Sequence, residues 1–294
     1  MRKISIIGSG WVGGNVGRGL QKIGHDVLFY DVSEDKIRDL KDTGFNATND
    51  LNEAVKDTEI SFLCVPTPSK KDGIDLSYLD EATKKVGYSL KDKDDYHLIV
   101  VKSTVIPGTT ENLVIPRLEE KSNKSVGKDI GVCMNPEFMT EISDTWSDNE
   151  DHKRNFFSED RIVIGEYDDK SGDYLEDVYK PLNVPIIRTD LKTAEMIKYA
   201  CNCALANRIS YWNEIFQICQ KLGIDSDKVA QVAAMDKRIG KYGTIHGKAF
   251  GGKCLPKDLK AFINFAGEVG HEPKLLKAVD EINERIKAER GVRE

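Results

Sequence analysis

The chain has 294 residues, of which 39% are hydrophobic and 31% charged, and its formal net charge is −6. That length suits about two domains with a substantial core, and the negative balance argues against nucleic acid or an anionic membrane as a partner. No apolar run reaches the ~18 residues of a spanning helix, and MRKISIIGSG turns glycine-rich too soon for a signal peptide, so a cytoplasmic protein is expected. From residue 1 to about 135, apolar runs alternate with helical patterns. The runs are KISIIG (3–8), DVLFYD (26–31), EISFLCV (59–65), HLIVV (97–101) and IGVCM (130–134). The helical patterns fall at about 11–24, 33–43, 77–91 and 109–121. This alternation predicts an α/β fold, a doubly wound parallel sheet with helices on both faces. The near-continuous apolar character of the runs suits strands buried on both sides.

A shorter α/β portion follows, with strands at RIVIG (161–165) and VPIIR (184–188) and a helix at about 171–180. The polar stretch 143–160 before it reads as a loop. Residues 192–222 then carry apolar side chains at Ile197, Cys201, Ala204, Leu205, Trp212, Ile215, Cys219 and Leu222, in the steps of three and four that mark one helix face. About 30 residues at 1.5 Å each predict a helix of roughly 45 Å, suited to a dimer core. Shorter helices are expected at about 226–235, 257–269 and 273–290. The predicted domains are 1–191, carrying the doubly wound sheet, and 192–294, a mainly helical domain built on the long helix.

GSGWVG places Gly8, Gly10 and Gly13 between the first strand and a helix, with Trp11 and Val12 inside the turn. In this pattern one glycine makes the turn, one lets backbone approach a pyrophosphate, and one allows close helix–strand packing. The helix N-terminus then faces the phosphates. Asp31 ends the second strand, where a carboxylate accepts from ribose hydroxyls and repels a 2′-phosphate, so NAD is expected rather than NADP. Lys36, one turn into the next helix, weakens that preference only slightly. None of the six cysteines lies at metal-ligand spacing from another cysteine or a histidine, and no metal is expected. Five of them read as small buried hydrophobes, while Cys254 sits in a glycine-rich loop between lysines. Lys198 and Asn202 are four apart on the long helix and share a face. Lys198 lies in an apolar segment, so a carboxylate or ligand should accompany it. Glu137 and Glu141 would share a face if a helix began at Pro136.

In chain order the motifs are GSGWVG, CVPTP (64–68), KSTVIPGT (102–109), NPEFMTE (135–141), RIVIG (161–165), AEMIKYACNCALANRISYWNE (194–214), DKRIG (236–240) and FGGKCLPKD (250–258). With these the chain resembles the UDP-glucose and GDP-mannose 6-dehydrogenase family of nucleotide-sugar dehydrogenases over nearly its whole length. The resemblance implies a Rossmann domain, a central helical domain that dimerises, and oxidation of a sugar C6 alcohol to a carboxylate with two NAD. By the same resemblance Cys254 is the nucleophile that forms a thiohemiacetal and then a thioester. A thiol of pKa ~8.5 is only about 3% ionised at pH 7, and Lys198 is the expected activating cation. Lys198 also stabilises the oxyanion, Asn202 orients the sugar or a water, Asp258 binds the water network, Glu141 serves thioester hydrolysis, and Thr104 holds a water near the nicotinamide. Val65, Pro66, Thr67, Thr104 and Glu141 join the glycine turn, Asp31 and Lys36 around the cofactor. Glu137, Phe138, Lys198, Asn202, Arg238 and Gly251 contact the substrate, expected to be a UDP-sugar, with Arg238 reaching across a homodimer.

Several positions depart from the family pattern. Lys253 stands where a small residue is usual, Ile142 where glycine is usual, and Glu159 where proline is usual. Only about 40 residues follow Cys254, so the family's third, UDP-binding domain is expected to be absent or supplied by a separate chain. Two other functions are compatible with the same plan. One is a two-domain hydroxyacid dehydrogenase of the 6-phosphogluconate-dehydrogenase-like group, which shares the Lys–Asn pair but has no use for the cysteine. The other is a non-catalytic NAD-binding scaffold remnant.

Overall fold

The computed structural model describes residues 1–70, 73–141, 146–147 and 152–293. They fall into two compact units. One comprises Met1–Pro68, Ile74–Phe138 and Asn155–Lys198, and the other Ser69–Gly73, Met139–Arg154 and Tyr199–Glu294.

In the first unit the elements run β1 (Lys3–Ile7), α1 (Trp11–Lys22), β2 (Asp26–Tyr30), α2 (Glu34–Asp42), β3 (Asn46–Thr48), α3 (Leu51–Lys56) and β4 (Ile60–Leu63). After the short β5 (Ser69–Lys70) and β6 (Gly73–Ile74) come α4 (Ser77–Leu90), β7 (His97–Val101), α5 (Ile115–Ser122) and β8 (Ile130–Met134). Then follow β9 (Ile162–Glu166), α6 (Asp169–Tyr179) and β10 (Ile186–Asp190). The eight-stranded sheet has the order β10-β9-β8-β7-β4-β1-β2-β3. Every residue of the central strands β4, β7 and β8 is buried, which is why their sequences are apolar throughout rather than alternating.

The structure adds α3 and the short strands β5, β6, β11 and β12 to the elements expected from the sequence, and three further differences have a physical cause. The sheet is mixed, because β9 runs antiparallel to β8, with Cys133 opposite Glu166 and Met134 opposite Gly165. The connection between those strands carries Met139–Arg154, which belong to the second unit. The edge strand β3 had no signal because it is three residues of mixed polarity, Asn-Ala-Thr. The helix expected over 109–121 instead opens with a π-helical turn at Thr110–Val114 before α5. Pro116 lacks the N–H that an α-helix would donate to the Asn112 carbonyl, and the ladder loosens there.

Two buried polar clusters fix the loops at the carboxyl ends of the strands. At the first, Asn135 Oδ1 accepts from Lys102 Nζ at 2.7 Å and from the Tyr179 hydroxyl at 2.6 Å, while Asn135 Nδ2 donates to the Val163 carbonyl at 2.7 Å. One amide therefore ties together the ends of β7 and β8, strand β9 and the end of α6. At the second, Glu195 is fully buried. Its carboxylate accepts from the Gly108 N–H at 2.5 Å, the Thr110 N–H at 2.8 Å and the Thr110 hydroxyl at 2.7 Å. Glu195 lies near the start of α7 (Leu191–Leu222), a continuous helix of 32 residues.

The second unit holds the rest of α7, α8 (Ser226–Ala233), β11 (Ala249–Phe250), α9 (Leu255–Glu268), α10 (Lys274–Arg290) and β12 (Val292–Arg293). Trp146, Cys203, Ala206, Ile209, Phe250, Leu259 and Val279 form its core. Two asparagines hold the strand that leads to Cys254. Asn213 of α7 accepts from the Gly247 N–H at 2.7 Å and donates to the Lys248 carbonyl at 2.8 Å. Asn283 of α10 accepts from the Phe250 N–H at 2.8 Å and donates back to its carbonyl at 3.1 Å. Each side-chain amide thus completes backbone hydrogen bonds that a β-partner would otherwise supply.

Glu195→Ala leaves two backbone N–H groups and one hydroxyl without their acceptor, and should lower stability by roughly 2–4 kcal/mol in urea unfolding. A loss below about 1 kcal/mol would show that water replaces the carboxylate. Lys102 adds a pH dependence. Burial lowers its pKa from 10.5 to about 8, against the raising influence of Glu159 and Glu137. Between those values the unfolded chain holds the proton that the folded chain has released, so stability rises with pH across that window. Unfolding free energies measured below and above it should show wild type gaining on Lys102→Met as pH rises. Parallel profiles would contradict this.

Candidate active site

In the first unit the β1–α1 turn has the geometry of a dinucleotide cradle. Gly8 has φ +99°, and a Cβ there would lie 2.8 Å from the Cys64 carbonyl oxygen. A Cβ on Gly13 would stand 2.0 Å from the Gly8 carbonyl oxygen, so only glycine lets α1 pack this closely. Around Gly10, by contrast, no described atom lies within 4 Å of a built Cβ. Gly10 is also the N-cap of α1, and no side chain caps that helix. Open backbone at an uncapped helix N-terminus suits a pyrophosphate. Trp11 and Val12 form the first helical residues of that turn.

Asp31 is buried just beyond β2. It accepts from the Ser9 N–H at 2.8 Å, the Ser33 N–H at 3.0 Å and Lys36 Nζ at 3.0 Å. Burial pushes its carboxyl up, but the two N–H donors and the ammonium outweigh it and hold the group below the usual carboxylate range. It therefore remains an anion, and its bond to Ser9 fixes it beside the glycine turn. Lys36 is the ion-pair partner of Asp31, a relation that sequence distance alone did not reveal. The donors and acceptors fit a dinucleotide with free ribose hydroxyls. The loops after β4 and β7 are joined as well. Thr67 donates to the Thr104 carbonyl at 2.7 Å, and Ser103 donates to the Val65 carbonyl at 2.6 Å. Pro66 lies between those two anchored positions.

The carboxylate expected beside Lys198 is Glu137. Lys198 Nζ donates to the Glu137 carbonyl at 2.5 Å and to its Oε1 at 3.1 Å, with both side chains about 95% buried. The ammonium also lies 5.5 Å from the Phe138 ring, on which the Arg161 guanidinium packs at 4.6 Å. Glu159 completes this group. It interacts electrostatically with Lys102, Glu137 and Lys198 and accepts from the Phe138 backbone, and burial raises its carboxyl despite the two lysines. The sequence marked Glu159 only as a departure from proline. The structure makes it the second acid facing two buried ammonium groups.

In the second unit Cys254 is the N-cap of α9 and Pro256 lies in the first turn. Gly252, at φ +73°, supplies the left-handed turn before it. A cysteine at the positive end of a helix is favoured as thiolate. Asp258 occupies the first turn of the same helix, is almost fully buried, and accepts from Asn202 Nδ2 at 2.6 Å. Lys257 Nζ lies 2.6 Å from the other oxygen, Oδ1, an ion pair by distance without hydrogen-bond geometry. Gly251 packs by its backbone against Val292, where a Cβ would come within 3.2 Å. Arg238 is exposed and its guanidinium is bound to Asp236.

The shared helix face expected for Glu137 and Glu141 does not exist, because residues 135–141 are not helical. Asn135 and Pro136 are instead engaged by Lys102. Glu137 pairs with Lys198 in the first unit, and Glu141 pairs with Lys253 at 3.1 Å in the second. Ile142 lies outside the described residues. Among the described residues no cluster of His, Cys, Asp and Glu could hold a metal, and no helix is long and apolar enough to cross a membrane.

Residues 2–46 and 40–183 match the NAD-binding domain of the UDP-glucose/GDP-mannose dehydrogenase family, and residues 192–285 match its central domain. The chain is 39% identical over 301 residues to a GDP-mannose 6-dehydrogenase of Pseudomonas syringae pv. tomato, covering 94% of this chain and 67% of that protein. It is also 39% identical to a UDP-glucose 6-dehydrogenase of Haloferax volcanii, covering 96% and 69%. A solved UDP-glucose dehydrogenase from Pyrobaculum islandicum superimposes with a TM-score of 0.88 at 36% identity, over 97% of this chain and 68% of that one. The chain thus spans about two thirds of the length of these relatives. It belongs to the UDP-glucose/GDP-mannose dehydrogenase family of nucleotide-sugar dehydrogenases, and its cofactor is NAD.

Proposed function

We propose that the chain oxidises the C6 alcohol of a UDP-sugar, of the UDP-glucose to UDP-glucuronate type, through a thioester on Cys254. The observation that carries this is the arrangement at the head of α9, where Cys254 caps the helix and Asp258, one turn on, is bonded to Asn202. A simple alcohol dehydrogenase has no need of a thiol there. The structural similarity to a UDP-glucose dehydrogenase favours a UDP-sugar.

NAD, when bound, accepts one hydride in each of two oxidations. In the first, a water held by Thr104 and Asp258 takes the hydroxyl proton as the C6 hydride leaves, giving an aldehyde. Asp258 is almost fully buried, with the Lys257 ammonium 2.6 Å from its Oδ1. The Cys254 thiolate then adds to the aldehyde carbon, and Lys198 stabilises the resulting oxyanion while Asn202 orients it. Loss of the second hydride gives a thioester. Glu141 takes a proton from water as that water attacks the carbonyl carbon, the C–S bond breaks, and Cys254 recovers its thiolate. Such a covalent route divides one difficult oxidation into easier steps. Glu137 and Phe138 would face the sugar, with Gly251 presenting backbone to it. Tyr211, Ile218 and Leu222 on α7 and Val232 and Met235 at α8 are exposed apolar side chains. We infer that they form a homodimer contact, with Arg238 offered to the partner's substrate.

The test is to supply NAD with a panel of UDP- and GDP-sugars and count NADH per sugar consumed. Two NADH are expected for the accepted sugar, and Cys254→Ala should yield no second NADH. Asp258→Asn should lower kcat by roughly a hundredfold or more, the scale of a lost general acid–base group. One NADH per sugar, with Cys254→Ala fully active, would reduce the reaction to a single alcohol oxidation.

A further inference from the structure

The stretch Asn135–Phe138 forms neither helix nor strand, yet each of its residues is held from another element of the first unit. The Asn135 N–H donates to the Val101 carbonyl at 2.9 Å, and the Pro136 carbonyl accepts from Lys102 Nζ at 3.3 Å. Lys198 holds Glu137, and Glu159 accepts from the Phe138 N–H. Backbone groups outside regular structure need such partners. Here most of them are charged side chains: Lys102 just after β7, Lys198 on α7 and Glu159 in the loop before β9. The groups that face Lys102 are Glu159, Glu137 and Lys198, with Cys64 after β4 and Tyr179 of α6. Burial pushes the Cys64 thiol up to about 12 and the Tyr179 hydroxyl well above its usual value, so neither titrates where Lys102 does.

We propose that Glu159 and Lys102 are positioning residues that together fix the Asn135–Phe138 segment for the nucleotide sugar. The inference rests on the reading above, in which Glu137 and Phe138 face the sugar. Proline, usual in the family at 159, has no carboxylate to set against the two lysines. Glu159 supplies one, and its charge favours the protonated form of Lys102. The Lys102 ammonium then makes charge-assisted bonds to Asn135 Oδ1 and the Pro136 carbonyl, and such bonds are roughly twice as strong as neutral ones. Loss of that proton weakens both bonds at once and leaves two acids opposite one ammonium. The hold on the sugar therefore follows the charge of Lys102, and Glu159 sets the pH at which that charge is lost.

The test is to titrate UDP-glucose into the full chain by calorimetry, without NAD, across neutral and alkaline pH. Lys102 is charged below about 8 and neutral above it, so wild-type affinity should fall about three- to tenfold as pH rises through that value. Glu159→Gln keeps an acceptor for the Phe138 N–H and removes the charge. It should lose the same affinity at lower pH, and match wild type only in more acid solution. Lys102→Met should bind weakly throughout, with no fall near that pH. NAD affinity, measured in the same way, should be unchanged in both variants. If wild-type affinity is flat, or if the fall persists in Lys102→Met, the positioning role is wrong while the UDP-sugar reading stands. Loss of NAD affinity in Glu159→Gln would mark a general disturbance of the unit and overturn the role as well. If NAD binds and UDP-glucose binds at no pH, the reading and the role both fall.

Discussion

Buried charge at the carboxyl ends of the sheet is the constraint around which the first unit is built. Lys102, Lys198 and Glu137 are each more than 90% removed from water, and desolvation of isolated ions in such a place would cost several kcal/mol each. The structure offsets this with directed oxygens. Asn135 and the Pro136 carbonyl receive Lys102, and the carbonyl and carboxylate of Glu137 receive Lys198. Because these acceptors come from one short segment, the NPEF stretch cannot become a helix without abandoning both ammonium groups. A parallel sheet supplies the location, since its strand ends converge on the cofactor crevice.

The buried group is nearly balanced, with two lysines facing two glutamates. Glu159 supplies the second acid from a position that the family usually gives to proline. Burial raises its carboxyl and lowers Lys102 to about 8, while the charge of each opposes that shift in the other. Substituting either alone would leave an unmatched charge.

Much of this plan was legible in the sequence because it rests on periodicity and on short-range geometry. Gly8 and Gly13 are required by contacts of 2.8 and 2.0 Å that no other residue could make, and such requirements leave a local signature. The continuous apolar strands and the 32-residue helix were equally plain. Lys198 announced its need for a carboxylate by lying in an apolar segment. What sequence could not supply were partners brought together by topology. Glu195 meets Gly108 and Thr110 across 85 or more positions, and Asn213 and Asn283 reach the strand before Cys254 from two different helices. In each case an ordinary polar residue on a helix gains its role only when the loop arrives. The antiparallel β9 was hidden for a related reason, since an apolar run does not encode its direction. The helical spacing of Glu137 and Glu141 misled because Asn135 and Pro136 had already been engaged elsewhere.

The Lys198–Glu137 pair of the first unit and the Lys253–Glu141 pair of the second differ in their access to water. Lys198–Glu137 is dry, and its strength derives from low dielectric and two acceptor atoms, so salt and solvent have little access to it. Lys253–Glu141 is wet on the lysine side, and its energy is comparable with thermal rotamer changes. Burying this second pair would hold the Glu141 carboxylate more tightly and exclude water from it. The side chain of Lys198 is 4% exposed and that of Lys253 is 84% exposed, so the first pair is shielded from salt and the second is screened by it.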